Sequence, residues 1–298
     1  MGVRYTNRAI TTEQQIDILK ERGLLIDDVE RAVKALDIIS YFRLAGYWRH
    51  FEADHTTHQF REGCRFADII DLYSFDKQLR ALLFTAIQTI EVAVRTKIIK
   101  HFALEFGAFW FMDENFATNE ARFATNLAVI RKEVERSHDD FITEHFRKYN
   151  EPELPPVWKT LEVVSFGTLS KLFCLFKDNR LKKQVAREFG LPQYTYLESW
   201  IRCITVLRNC CAHHARIWNR RFALKPQLPN RLPLSWIAPT QKPIKLYHQL
   251  CTLLYMEQTI TPCMDLKSSL LRLFADYPNI DLHAMGFPQG WENEPLWR

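Results

Sequence analysis

Apolar positions recur at steps of three and four along most of the chain, the period of a helix with one buried face. The strongest run extends from Asp68 to about Phe106. There Leu72, Phe75, Leu79, Leu82, Leu83, Ala86, Ile90, Ala93, Val94 and Ile98 keep the spacing, with no Pro or Gly before Gly107, and predict one long buried helix. Upstream, Thr12-x-x-Gln15 ahead of Ile16, Ile18 and Leu19 reads as a capping box opening a helix that Gly23 closes. A second run from Asp27 through Val29, Val33, Leu36, Ile39 and Phe42 completes a helical hairpin, and the His-, Thr- and charge-rich stretch from Trp48 to Arg65 reads as an irregular connection. Downstream, Phe109 to Met112 form an apolar knot, residues 117–148 a more charged surface helix, and Pro152, Pro155 and Pro156 a loop. Helices are then expected over Val157–Phe176, Asn179–Phe189 and Tyr194 to about Asn219, with Gly190-Leu191-Pro192 as punctuation. Pro226, Pro229, Pro233, Pro239 and Pro243 break the next stretch, Ile244–Ile260 and Met264–Phe274 predict two final helices, and a coil tail follows Tyr277. With no repeat and no evident linker, the expectation is an all-α chain forming a single unit over 1–298. In it, a helical extension (1–60) precedes a helical core (about 66–275).

Composition agrees with helix. Nine glycines in 298 residues is roughly half the ~7% average, leaving few of the positive-φ corners that sheets and phosphate loops consume. Neither GxGxxG nor GxxxxGK[ST] occurs, which argues against dinucleotide and P-loop chemistry. Seven cysteines without a CxxC pair, and no charged-then-apolar opening segment, fit a reducing cytoplasm. Charged residues interrupt every apolar stretch before the ~18–20 residues a membrane span needs, so no membrane association is expected. The opening Met1-Gly2-Val3-Arg4-Tyr5-Thr6 fits the loose N-myristoylation pattern, one short enough to recur by chance.

Charge changes the picture once it is mapped. The net +5 is unevenly spread: Ser199 to Met256 contains no Asp or Glu. The same window carries Arg202, Arg208, Arg216, Arg220, Arg221, Lys225, Arg231, Lys242 and Lys245, nine of the chain's 40 basic residues, so the remainder, with all 35 acids, is net negative. Such a window suits a polyanion, since carboxylates nearby would oppose each phosphate contact. An acidic partner protein or a merely solvated face is the competing reading, with nucleic acid slightly ahead.

Within it, Leu207 to Arg221 concentrates Arg, Asn and His in an apolar-periodic helix. At 100° per residue, Trp200, Ile204, Leu207, Cys211, His214 and Trp218 share the core stripe, so His214 reads as a packed or hydrogen-bonded core histidine. Asn209, Arg216 and Arg220 project opposite, and Arg208 and His213 flank them about 140° apart, lining two edges of one groove or completing each other across a two-fold axis. Metal-free phosphodiester cleavage needs a proton-transferring group near pH 7 and a fixed cation against the phosphorane charge; His and Arg supply them. RNA brings its own nucleophile, the 2′-OH. Asn209, one turn before His213, is suited to orient its ring or a phosphate. The adjacent Cys210, Cys211, His213 and His214 point to different sides of one helix with no zinc-like partner pair elsewhere, so no metal and no other cofactor is expected. Glu91 and Arg95 form an ordinary i,i+4 pair.

The run Arg208-Asn209-Cys210-Cys211-Ala212-His213-His214-Ala215-Arg216-Ile217-Trp218-Asn219-Arg220 resembles the C-terminal signature of the Abi-like bacterial abortive-infection family of AbiD/AbiF type. The likeness extends through Tyr41 to Tyr47 (YFRLAGY), Leu72 to Arg80 (LYSFDKQLR), Ile90 to Arg95 (IEVAVR), Pro156-Val157-Trp158, Ser165 to Ser170 (SFGTLS) and Met285-Gly286-Phe287-Pro288 with Trp291. That family is similar to the HEPN superfamily of helical bundles, whose nucleases carry Arg, a polar residue, and His after four to six intervening residues; Arg208, Asn209 and His213 fit. The resemblance implies metal-independent RNA cleavage to a 2′,3′-cyclic phosphate, usually in a homodimer. By position, the resemblance has Arg208 bind the phosphate and His213 act as acid or base, with Glu91 and Arg95 in support; the reading of the residues themselves adds Asn209 and His214 as supporting groups and Arg216, Arg220, Arg221 and Lys225 of the basic window as RNA contacts. The resemblance further implies a toxin-like antiphage role, with an antitoxin RNA or protein as a candidate partner whose existence the sequence leaves open. The alternative is a non-cleaving module that holds RNA or a partner through the same face.

Overall fold

The computed structural model describes residues 2, 4, 6, 8–238, 245–260 and 265–298. Met1, Val3, Tyr5, Pro239, Lys242, Pro243, Ile244 and Met264, named above, and Cys263, one of the seven cysteines, lie outside the described residues. The described residues form twelve α-helices and one two-stranded sheet, an all-α fold. They fall into two compact units, Met1–Leu79 with Leu273–Ile280, and Arg80–Arg272 with Asp281–Arg298.

The first unit opens with α1 (Thr12–Glu21), α2 (Val29–Ile39) and α3 (Tyr41–Trp48). Thr11, one residue earlier than expected, caps α1: its hydroxyl accepts the Gln14 N–H at 3.3 Å while the Gln14 carboxamide accepts the Thr11 N–H at 2.9 Å. Gly23, at φ 86°, closes that helix through Leu24 N–H to Leu19 O and Gly23 N–H to Lys20 O. The second predicted run is broken at Ser40 (φ 69°), whose hydroxyl caps α3 by accepting the Arg43 N–H. The expected irregular connection holds a short antiparallel hairpin, β1 (Glu52–Asp54) with β2 (Gln59–Phe60). Helix α4 (Phe66–Phe106) then runs 41 residues, and its apolar stripe from Leu72 to Phe102 is buried as its period requires. Within the first unit Tyr47 donates to buried Asp76 at 2.7 Å, joining two of the recognised sequence runs by one hydrogen bond.

The second unit takes α4 from Arg80 onward and adds α5 (Glu120–Arg136), α6 (Asp140–Lys148), α7 (Val157–Val163), α8 (Phe166–Leu175), α9 (Asn179–Arg187), α10 (Tyr194–Ala212), α11 (Leu246–Ile260) and the first part of α12 (Leu266–Asp276). Two predicted single helices are each two. The 117–148 stretch breaks between Arg136 and Asp140, and the 157–176 stretch breaks where Ser165 caps α8 by accepting the Thr168 N–H. Helix α5 is no mere surface helix: Phe123, Leu127, Ile130 and Val134 are buried where it packs on α7 and α8. Helix α10 is central, packed on α8, α9 and α11, with Leu197, Trp200, Ile201, Ile204 and Leu207 buried. The predicted coil tail is also packed: Phe287, Trp291 and Trp297 cluster with Tyr247 at ring separations of 4.8–6.1 Å, because four large rings bury more apolar surface than a solvated tail would. No described helix is long and apolar enough to cross a membrane.

Two consequences for stability are measurable. Gly190 sits at φ 64°, and a Cβ there would lie 2.7 Å from the Tyr255 hydroxyl, which donates to the Gly190 carbonyl at 3.1 Å. Gly190→Ala is expected to cost about 1–3 kcal/mol in urea unfolding; an unchanged midpoint would contradict this geometry. Burial alone would raise the Glu188 carboxyl, but hydrogen bonds from Lys97 and His101, both 2.5 Å, hold it down to about 2; Lys100 stands 3.6 Å away. A depressed carboxylate stabilises the fold above its unfolded value and loses that contribution as pH falls through the folded one. Wild type should therefore exceed Glu188→Gln by about 2 kcal/mol at pH 7, discounted for its 29% exposed side chain, and the gap should shrink between pH 4.5 and 2. A gap constant with pH would refute the assignment.

Candidate functional site

Helix α10 ends sooner than its apolar period suggests. Ala212 is its last helical residue and His213 its C-cap, with the His213 N–H on the Asn209 carbonyl at 3.0 Å. His214 follows at φ 55°, its N–H on the Cys211 carbonyl, and the Ala215 N–H reaches back to the Cys210 carbonyl at 2.9 Å. These two bonds make a Schellman stop with histidine in the left-handed position that glycine usually fills. The predicted helix to Asn219 is thus corrected, and with it the core placement of His214, which is exposed. The stripe holds only as far as Cys211; Ile217 and Trp218 are buried from the loop beyond, Trp218 through an indole N–H to the Asp281 carbonyl at 3.2 Å.

Arg208, on the last full turn of α10, is half-buried with a side chain 35% exposed. Its Nε lies 3.8 Å from Glu91 Oε2, and its guanidinium sits 5.8 Å from the Phe84 ring centroid. The other Glu91 oxygen accepts from Arg95 at 3.0 Å. Arg95 is buried, and its two terminal nitrogens also donate to the carbonyls of Glu162 and Val164, both at 3.0 Å, where α7 gives way to α8, while its Nε is buried without a partner. Glu162 adds a carboxylate 3.6 Å away. The i,i+4 pair is therefore more than an intrahelical salt bridge. One carboxylate spans a buried and a half-exposed guanidinium, and contact through Nε leaves the outer face of the Arg208 fork open to a bidentate acceptor.

Asn209 and His213 are exposed, as are Arg220 and Arg221, while Arg216 is half-buried. Arg220 donates to the Arg216 carbonyl and lies 5.9 Å from the Phe222 ring, and its charge reaches Cys210 near the end of α10. Burial pushes the Cys210 thiol up, with Arg220 pulling the other way. Lys225 does not join this group. Its carbonyl accepts from the Ser199 hydroxyl, nine residues before Arg208, which is about 13 Å along the helix axis. Sequence reasoning missed Phe84, Glu162 and Val164. Phe84 was in reach, since it shares a face of α4 with Glu91 and Arg95 at steps of seven and four; the two α7–α8 residues carry no local signal. Among the described residues, no three His, Cys, Asp or Glu side chains are grouped to hold a metal ion.

A family model described as Abi-like protein matches residues 34–219. The chain belongs to that family. Membership of the Abi-like family suggests a part in abortive infection. The matched span includes Glu91, Arg95 and the whole Arg208 to His213 run, and stops before Arg220 and the tail cluster. No curated protein and no solved structure matches the chain.

The two arginines should respond differently to truncation. Arg95→Ala removes the hydrogen-bond donor from one oxygen of the largely buried Glu91 carboxylate and from two helix-end carbonyls, and is expected to cost about 3 kcal/mol or more in urea unfolding. Arg208→Ala, at 35% exposure, should cost under about 1 kcal/mol. Equal costs would show that Glu91 does not hold the two in the manner described.

Proposed function

We propose that this Abi-like chain is a metal-independent endoribonuclease of HEPN type acting in antiphage abortive infection. What carries the reading is a half-exposed guanidinium, braced through Nε by Glu91, on the same helix end as an exposed imidazole five residues on. Arg208 meets the non-bridging phosphate oxygens with its outer donors and stabilises the phosphorane charge. His213 takes the proton of the ribose 2′-OH or delivers one to the departing 5′-oxygen; the 2′-oxygen bonds to phosphorus, the P–O5′ bond breaks, and a 2′,3′-cyclic phosphate remains. Asn209 orients the ring or the phosphate, and Arg216, Arg220 and Arg221 extend the contact to flanking phosphates. Glu91 and Arg95 are positioning residues that act through Arg208. On a regular helix, side chains five places apart diverge by about 140°, so a second copy of the chain completes each site across a two-fold axis.

Purified wild type, Arg208→Ala and His213→Ala incubated with RNA in EDTA should separate cleavage from binding. Wild type is expected to cut and leave cyclic phosphate ends, with each variant slower by about 100-fold or more. Binding without cutting would leave an RNA- or partner-holding module on the same face, and a strict divalent-metal requirement would remove this mechanism. The active species should scatter light as a dimer, and RNA affinity should fall steeply with salt. A monomer that cuts overturns the two-copy element, and a flat salt response overturns the phosphate contacts.

A further inference from the structure

On another face of α10, away from Arg208, lies a hollow of about 480 Å³ whose walls come from α5, α8 and α10, a size within the range of small-molecule sites. Three cations line it, one from each helix: Arg122, Lys171 and Arg202. None of the three has a carboxylate within ion-pair distance among the described residues, and no Asp or Glu lines the hollow. Glu198, whose charge is felt at Cys174 in the wall, is tied to Lys182 at 2.6 Å.

A second feature is independent of charge. Asn126, 4% exposed, lines the same hollow. Its amide nitrogen donates to the Thr168 carbonyl at 3.3 Å, which fixes the side chain's orientation and leaves Oδ1 buried without a partner. A buried, unpaired carbonyl oxygen costs free energy until a donor meets it. Val129, Leu175 and Cys174 supply an uncharged wall, the thiol being pushed up to about 11 chiefly by burial. The occupant these features define carries an anionic group, a flat or apolar body and a hydrogen-bond donor.

We propose that this hollow is a binding site for a nucleoside monophosphate, its phosphate held by Arg122, Lys171 and Arg202 and a base or ribose donor satisfying Asn126 Oδ1. The site stands apart from the Arg208–His213 end of the helix and does not depend on the cleavage reading. Calorimetric titration of the full chain with the four nucleoside 5′-monophosphates, inorganic phosphate and a 5′-phosphorylated RNA hexamer tests it. At least one free monophosphate is expected to bind about fivefold or more tighter than phosphate, because phosphate alone leaves Asn126 unpaired. Lys171→Gln and Arg202→Gln, both exposed side chains, should each weaken that binding about fivefold or more without changing the melting temperature of the unliganded chain. No monophosphate binding at about 5 mM, phosphate binding equally well, affinity indifferent to both variants, or binding of the hexamer alone would each overturn the proposal. Cleavage activity is not read in this experiment, so either proposal can fail without the other.

Discussion

A single carboxylate organises the candidate site. Glu91 accepts from buried Arg95 with one oxygen and lies beside half-exposed Arg208 with the other. A guanidinium buried as deeply as Arg95 demands a counter-charge and acceptors; Glu91 and the carbonyls of Glu162 and Val164 serve its terminal nitrogens. The same bonds tie the middle of α4 to the junction of α7 and α8 and, through Glu91, to the end of α10. Arg208 lies at 3.8 Å from the outer oxygen of a network whose core is too buried to rearrange cheaply. On the proposed reading this is what matters for Arg208, because donors already in place need no reorganisation when charge develops.

The basic window changes character once the chain is folded. Along the sequence it is free of acids; in space it is not, since Glu91 reaches Arg208 from a helix more than a hundred residues earlier. Nor is it one surface. Arg216, Arg220 and Arg221 follow the end of α10, Lys225 lies back beside Ser199, and Arg202 belongs to the hollow lined by α5 and α8. The chain doubles back along its own helix, with the Trp200 indole N–H on the Gln227 carbonyl and the Gln227 N–H on the Ser199 hydroxyl, so residues close in number point to different solvent regions. A charge run is a statement about the chain, and a potential is a statement about the fold.

Most of the recurrent sequence runs that accompany the Arg–His motif do structural work. Tyr47 and Asp76 bond to each other, Ser165 and Thr168 cap α8, and Phe287 and Trp291 join the tail cluster. Around the Arg–His pair itself the balance differs: Arg208 and His213 keep polar groups toward solvent while Leu207, Cys210 and Cys211 between and beside them are buried.

The sequence by itself determined the helical class, the long α4 with its buried stripe and the inward face of α10 as far as Cys211, because a 3.6-residue period and the scarcity of glycine are local properties that burial acts on directly. It also singled out Arg208, His213 and the Glu91–Arg95 pair, whose spacing is local. Only the tertiary structure decided where helices stop when no Gly or Pro marks the place: Ser40 and Ser165 break runs by capping the next helix, and His214 ends α10 in a left-handed turn at odds with its place in the apolar period. It alone decided that Glu91 serves two arginines, that Lys225 stands apart, and that Asn126 keeps a buried carbonyl unpaired. Ion pairs and unpaired groups of that kind join residues far apart in number, and nothing in the local pattern of a chain encodes which distant helix will supply the partner.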